Sequence, residues 1–199
     1  SSLGSVSSRS LNLSPIRFIS IGTSLPANLN LYSLTKRQFS QIGEFYTKQG
    51  GIQFIDCLLE SFYGGDEPKN RFISRSINKL QAHNDLDVTE GTQTRDYVNV
   101  NDVVEMLLFL SDCNITASYE TVPIGSGYAP SIKDILNYLK EITHSSSKIN
   151  FGAVPMRKNE PNTVADLHKI RSLGYTKSIT SWRDGLKKVV EDLTNENTY

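Results

Sequence analysis

Apolar and polar residues follow two different periods along this chain, and the switches between them mark strands and helices. A near-continuous apolar run at residues 52–59 (IQFIDCLL) predicts a parallel strand covered on both faces, and Phe18–Ile21 predicts another buried strand. Between them, residues 33–47 have helical spacing, and Gly50-Gly51 is expected to end that helix. The positions of this helix that we expect to face the core are Phe39, Ile42 and Tyr46.

The same alternation continues to the end of the chain. Further strands are predicted at 86–89, 97–100, 119–124 and 148–154. Further helices are predicted at 72–81, 103–110, 132–142 and 165–173, and a last one from residue 182. Helix-start signals support three of them: Asn101-Asp102 and the capping boxes Ser131–Asp134 and Ser181–Asp184. Strands that alternate with helices of about 10–15 residues indicate an α/β protein with a mostly parallel sheet.

Composition narrows the class of protein but not its chemistry. The 199 residues, 38% hydrophobic and 21% charged, suit one domain with at most a small appendage. A net charge of zero gives no reason to expect nucleic acid or an anionic membrane as partner. No apolar run approaches the ~20 residues of a membrane span, and Ser1–Ser14 lacks the pattern of a signal peptide. We therefore expect a cytoplasmic protein.

Cysteine and histidine usage agrees with that expectation. Cys57 and Cys113 both lie in apolar runs, which is typical of small core residues in a reducing compartment. The three histidines and two cysteines do not have the spacing of metal ligands, so no metal site is expected.

Candidate chemistry lies between Phe18 and Lys36. Tyr32 and Lys36 are four residues apart at the start of a predicted helix, so their side chains share one face. An ammonium group beside a phenol favours the phenolate and lowers the tyrosine pKa from its usual ~10. Thr23, at the end of the preceding strand, can offer a hydroxyl group at the same place, and together the three can move a proton on a sugar oxygen. The alternative is an ordinary amphipathic helix with Tyr32 half-buried and Lys36 in solvent.

A phenol–lysine pair of this kind usually works with a nicotinamide, whose phosphate loop has the pattern G-x-G-x-x-G. The nearest match is Gly125-Ser126-Gly127, but the third glycine position is Pro130 and the next helix starts only at Ser131. This favours a tight turn over a phosphate loop. Only 22 residues precede Thr23, fewer than the ~30 of a βαβ unit, so we expect the dinucleotide half to be missing from this sequence.

Five segments, in order, resemble the extended short-chain dehydrogenase/reductases that modify nucleotide sugars. The most specific is GTQTRDYVNVNDVV at Gly91–Val104, which resembles the family pattern Gly-x-Gln-x-Arg-Asp-Phe-x-x-Val-x-Asp-Val. Details such as FGAVPMRKNE are most similar to the reductases and epimerases of bacterial O-antigen clusters, the CDP-abequose synthase group among them. The other four segments are residues 18–36, Leu58–Asp66 (LLESFYGGD), 123–136 and Pro155–Tyr175.

The resemblance implies roles for particular residues. Tyr32 would be the catalytic acid/base, and Thr23 would orient the reacting hydroxyl group. Lys36 would hold the ribose of NAD or NADP, a site that is incomplete in this sequence, and Tyr63 would line it unless it is a core aromatic. The resemblance implies three substrate-binding residues: Arg95 and Arg157, which would bind the diphosphate, and Phe72. For each arginine the alternative is a surface or salt-bridged residue, and Arg95 stands next to Asp96 in the sequence.

The resemblance also implies an architecture: the C-terminal part of a Rossmann-like parallel sheet plus a small α/β substrate-binding lobe. Residues 1–60 would be the remnant of the dinucleotide domain, and 61–199 the lobe with returning Rossmann elements. Ser24-Leu25 stand where 4,6-dehydratases carry Asp-Glu, which argues against dehydration. We therefore expect an epimerase or reductase of nucleotide sugars, dimeric through the Tyr32–Lys36 helix. The alternative is a non-catalytic fragment that binds sugar nucleotides or dimerises.

Overall fold

The computed structural model describes residues 16–196, so the Ser-rich start of the chain lies outside the described residues. In chain order the elements are β1 (Ile16–Ile21), α1 (Leu31–Gln49), β2 (Ile52–Leu59), β3 (Ser61–Tyr63), α2 (Phe72–Gln81), β4 (Leu86–Val88), β5 (Tyr97–Asn99), α3 (Val100–Asp112), β6 (Tyr119–Ile124), α4 (Ile132–Ile142), β7 (Ile149–Phe151), α5 (His168–Ser172) and α6 (Trp182–Glu196). The α/β class predicted from the sequence is confirmed.

The central sheet has three parallel strands in the order β1-β2-β6. β6 comes back from beyond residue 60 to pair with β2, so the sheet joins strands about 60 residues apart in sequence. Two short parallel pairs, β3-β5 and β4-β7, lie outside it. On its other side, β1 pairs with no strand among residues 16–196.

Two hydrophobic cores stabilise the fold. One packs the central sheet against α3 and α5. Cys57 lies in this core, and its burial raises the pKa of the thiol to about 12, with a smaller contribution from the charge of Asp56. The other joins α2, α4 and α6. Its members include Tyr63, Ile73, Ile77, Leu80, Ile135, Leu136, Leu139, Trp182 and Leu186.

Helix α1 is where the sequence interpretation was wrong about packing. Ile42 and Tyr46 do not face the core, since 52% and 55% of them are exposed, and Phe39 is only half-buried (45% exposed), with its ring 6.0 Å from that of Phe54. The helix instead buries a face of small residues, Ser33, Ser40, Gly43 and Thr47. At Gly43 the missing side chain lets the helix backbone approach the Phe54 ring of β2 closely, which larger residues would prevent.

Other differences are confined to element ends. Helix α3 starts at Val100 and is capped by Asn99, whose side chain accepts from the Asn101 amide, so the predicted Asn101-Asp102 cap was two residues late. Strand β7 is only three residues long, and the helix predicted at 165–173 is reduced to α5. Within the described part of the chain, no helix is both long and apolar enough to cross a membrane.

Candidate active site

The loop between β1 and α1 sets the position of Tyr32. Asn30 and Ser33 form the capping box at the start of α1: the Asn30 side chain accepts from the Ser33 amide (2.9 Å) and the Ser33 hydroxyl from the Asn30 amide (3.2 Å). Gly22 begins the loop directly above Asp56, where a Cβ atom would lie 2.5 Å from Asp56 Oδ1. The chain can therefore turn closely over the end of β2 before entering the helix.

Tyr32 and Thr23 line one cavity of about 310 Å³, which we call the Tyr32 cavity. It opens at the carboxyl ends of β1 and β2, the edge at which parallel α/β sheets bind ligands. Half of Tyr32 is exposed (55%), so its phenol is accessible to a bound molecule. The remaining wall includes Ser24, Glu60, Arg71 and Thr163.

Lys36 lies beside this cavity rather than in it. Its ammonium group donates a hydrogen bond to the Ile21 carbonyl (2.8 Å) and is 5.8 Å from the centre of the Tyr32 ring. It lines a smaller cavity of about 110 Å³ together with Thr23 and Asp56. The structure thus brings the predicted Thr23, Tyr32 and Lys36 together, with Thr23 common to both cavities.

A second large cavity, of about 520 Å³, is lined by three guanidinium groups, from Arg75, Arg95 and Arg157, and we call it the arginine cavity. Arg95 pairs with Glu160 and donates to the Pro161 carbonyl (2.7 Å). Arg157 is exposed and makes no ion pair within residues 16–196. The predicted Phe72 is also in the wall, stacked on Tyr97 with ring centres 6.0 Å apart.

Asp96, not Arg95, organises the turn after β6. The buried Asp96 carboxylate accepts hydrogen bonds from the amides of Ser126, Gly127 and Ala165 and from the Ser126 hydroxyl. The salt bridge considered between Arg95 and Asp96 is therefore not formed. The Gly125–Gly127 segment is a turn whose amides bind an internal carboxylate, which leaves them unable to cradle a phosphate.

Tyr63 lines neither the Tyr32 cavity, the smaller cavity beside it nor the arginine cavity. Tyr63 is fully buried in the core with α2, α4 and α6, and its ring packs where a side chain at Gly185 would otherwise lie. Burial raises the pKa of its phenol most, and the negative charge of Asp102 raises it further. Of the two readings of Tyr63, the core aromatic is the one that the structure supports.

Sequence reasoning missed Glu60 and Arg71, which line the Tyr32 cavity, and Arg75, which lines the arginine cavity. Glu60 is the most unusual, because it is only 7% exposed and carries a carboxyl oxygen without a hydrogen bond. An acidic residue directly after a largely apolar strand was the available signal. No cluster of three potential metal ligands occurs in the part of the chain that the structure describes.

Residues 14–125 match the NAD dependent epimerase/dehydratase family. The chain is 32% identical over 161 residues to CDP-abequose synthase of Salmonella muenchen, covering 80% of this chain and 55% of that protein. It is 28% identical over 183 residues to ADP-L-glycero-D-manno-heptose-6-epimerase of Brachyspira hyodysenteriae, covering 86% and 56%.

Solved structures give the same result for the fold. UDP-glucuronic acid 4-epimerase from Bacillus cereus, in complex with UDP-glucuronic acid and NAD, superimposes with a TM-score of 0.79 at 26% identity. The match covers 89% of this chain and 62% of that one. The Rossmann-like architecture expected from the sequence is confirmed, and the chain spans about half the length of the curated relatives it matches.

Proposed function

The chain belongs to the NAD dependent epimerase/dehydratase family, and from that premise we propose that it acts as a nucleotide-sugar oxidoreductase of the epimerase/reductase type. The observation that carries this proposal is the shared Tyr32 cavity of Tyr32 and Thr23. A phenol and a hydroxyl group at one accessible site can transfer a proton to or from a sugar oxygen. Similarity to CDP-abequose synthase supports nucleotide-sugar chemistry, and we further propose that the chain serves surface-polysaccharide (O-antigen) sugar synthesis in the cytoplasm.

In this proposal Tyr32 is the acid/base. As phenolate it takes the proton of a sugar hydroxyl on oxidation, and as phenol it returns one on reduction, while the Thr23 hydroxyl donates to the same oxygen and orients it. NAD or NADP, when bound, accepts or supplies the hydride. Lys36 uses one of its three N–H donors on the Ile21 carbonyl, and the others suit a ribose hydroxyl in the adjoining small cavity.

The residues described fit the ribose end of such a cofactor better than its phosphates. The turn Gly125–Gly127 is the nearest glycine-rich segment, and its amides are already bonded to Asp96. No residue within 16–196 is therefore assigned to the cofactor diphosphate. Residues 1–60 would contribute the catalytic pair, and 61–199 the substrate lobe with its returning Rossmann elements.

The arginine cavity is the proposed site of the substrate's nucleoside diphosphate. Planar guanidinium groups bind diphosphate oxygens in pairs and stay charged at any physiological pH. Arg157 has no competing ion pair among the described residues, whereas Arg95 is already bound to Glu160. Arg157 is thus available for a phosphate, and Arg95 would have to share its donors between Glu160 and the ligand.

A homodimer through α1 is part of the proposal. The outer face of this helix exposes large apolar side chains, a pattern typical of an interaction surface on an otherwise polar protein. These residues are Leu31, Leu34, Phe39, Ile42, Phe45 and Tyr46.

The second candidate is a non-catalytic fragment that binds a sugar nucleotide or dimerises without turnover. The observation that favours it is the edge of β1, which is unpaired among residues 16–196 and carries Ile16 and Phe18, both well exposed. Such an edge is a site for association with another strand.

Titration calorimetry of this chain distinguishes the two. The ligands are NAD(H), NADP(H) and a panel of nucleotide sugars, tested on wild type, Arg95→Ala and Tyr32→Phe. We expect dinucleotide and sugar-nucleotide binding, with Arg95→Ala weakening only the latter, and turnover that Tyr32→Phe abolishes without loss of binding. Tyr128→Phe, another exposed tyrosine (58%), is the matched control. Sugar-nucleotide binding without dinucleotide binding would favour the fragment, and no binding by a folded chain would reject both.

A further inference from the structure

Glu60 follows the last residue of β2 and lies in the wall of the Tyr32 cavity. Only 7% of the residue is exposed, and its Oε2 atom makes no hydrogen bond with the part of the chain that the structure describes. Buried polar atoms almost always have a partner, because an unpaired one costs about 1–3 kcal/mol. An unpaired carboxyl oxygen at the wall of an open cavity is available to a partner that the protein itself does not supply.

The Glu60 side chain packs against Gly125 on one side. A Cβ atom at Gly125 would lie 2.9 Å from Glu60 Cγ, so the backbone after β6 closes one side of the glutamate. The Asp96 carboxylate lies against the same glycine, and its negative charge disfavours an approach of the ionised Glu60 carboxyl group. Packing of this kind limits the positions that a binding group can take.

Charged and polar groups surround Glu60 from several segments. Burial raises the pKa of its carboxyl group. Hydrogen bonding of that group to the Thr163 and Ser24 hydroxyls lowers the pKa, the negative charge of Asp96 raises it, and the Arg95 guanidinium lowers it, so the unpaired atom is Oε2 alone. Tyr32 and Arg71 are the other titratable groups in the wall of this cavity. A carboxyl group in this setting can act as hydrogen-bond acceptor when ionised and as donor when neutral.

We propose that the Glu60 carboxyl group binds a hydroxyl group of the sugar ring in the Tyr32 cavity and so selects sugars that carry this hydroxyl. The inference rests on the proposed function, which places a sugar in that cavity. Sugar hydroxyls are both donors and acceptors, so one of them can satisfy Oε2 in either protonation state. A sugar without it would leave the buried carboxyl oxygen unpaired, which is a strong basis for rejection.

The test separates recognition of the sugar from recognition of the nucleotide. Dissociation constants are measured by calorimetry for CDP, UDP and ADP and for their glucose conjugates, on wild type and Glu60→Gln. We expect the substitution to weaken the conjugate that wild type prefers by about tenfold or more, the loss of one hydrogen bond to a charged group. The affinity for the corresponding nucleoside diphosphate should not change. Glu60→Asp, which keeps the charge but withdraws the carboxyl by one methylene, should show the same selective loss.

Glu120→Gln is the matched control. The Glu120 side chain is also largely buried (21% exposed), accepts from the Thr121 amide (3.2 Å) and pairs with Lys169, and it lies outside the walls of the Tyr32 cavity and the arginine cavity. We expect this variant to bind conjugates and diphosphates as wild type does. A second readout is pH. A hydroxyl group bonds more strongly to an ionised carboxylate than to the neutral acid, so the ratio of wild-type to Glu60→Gln affinity for the conjugate should vary with pH, whereas the same ratio for the nucleoside diphosphate should not.

The outcomes distinguish this inference from the function on which it rests. If both Glu60 variants bind the conjugate and the diphosphate with equally weakened affinity, Glu60 only supports the fold. If neither affinity changes, Glu60 does not contact the sugar. Either result would overturn the inference but not the proposed function. A folded wild-type chain that binds neither conjugates nor diphosphates would overturn the proposed function and this inference with it.

Discussion

Replacing Gly43 by alanine tests whether the close approach of α1 to the sheet positions Tyr32. A Cβ atom at this position would lie 2.5 Å from Cζ and 2.6 Å from Cδ2 of Phe54, closer than such atoms approach in proteins. The ring cannot move aside easily. It is 3% exposed and stacks on Phe18 and Tyr119, with ring centres 5.2 and 6.0 Å away.

Two effects of Gly43→Ala oppose each other. Alanine is better than glycine in a helix by about 1 kcal/mol, whereas overfilling a packed site costs about 1–3 kcal/mol. Because the clash is with a ring that is itself confined, we take the upper part of that range. The free energy of unfolding should therefore fall by about 2 kcal/mol, and activity that depends on Tyr32 should fall with it as α1 is displaced.

Urea denaturation measures the stability change, with Gln41→Ala as control. Gln41 is exposed on the same helix, and its replacement should change the free energy of unfolding by no more than about 0.5 kcal/mol. Adding Phe54→Leu to Gly43→Ala should recover part of the loss, since the smaller side chain leaves room for the new methyl group. An increase in stability for Gly43→Ala alone would show that helix propensity decides and would refute the packing argument.

Three further predictions concern the turn after β6, the buried glutamate and the outer face of α1. Asp96→Asn should lower the free energy of unfolding by about 2–4 kcal/mol, because an amide nitrogen would face the backbone amides whose hydrogen bonds the carboxylate now accepts. Urea denaturation should show no such loss for Asp87→Asn, which changes an exposed residue. Equal stability of the two variants would contradict this prediction. The raised pKa of Glu60 means that its contribution to stability is complete below its ordinary value of 4.5 and is lost as pH rises through the folded-state pKa. Thermal denaturation should thus show Glu60→Gln gaining on wild type as pH rises from 4 to 7, and parallel curves would exclude it. Ile42→Lys with Phe45→Lys should reduce self-association measured by light scattering, whereas Val104→Lys, on an exposed site of α3, should not; unchanged association in the double variant would place the interface elsewhere.

Element type could be predicted from the sequence because local patterns decide it. The capping boxes at Ser131 and Ser181 gave helix starts that the structure reproduces, and α2 has the bounds that its spacing predicted. What local patterns could not provide was which face of α1 is buried. Its apolar residues have helical spacing, but the sheet selects the face with Gly43, because only that face permits close contact with Phe54.

The candidate site shows the same limit: residues that are close in sequence could be predicted, and those brought together only by the fold could not. Thr23 and Tyr32 could be predicted because a strand, a loop and a helix start bring them together over a few residues. Glu60 could not be placed by spacing, since its setting depends on Gly125 and Thr163, far away in sequence. The available signal was physical: a carboxyl group at the end of a strand expected to be buried on both faces costs free energy unless something binds it. Asp56 on the same strand, also buried with an unpaired oxygen, lines the neighbouring cavity with Lys36. Acidic residues in a buried apolar strand therefore deserve the same weight as the Tyr-x-x-x-Lys spacing when a ligand site is sought from sequence.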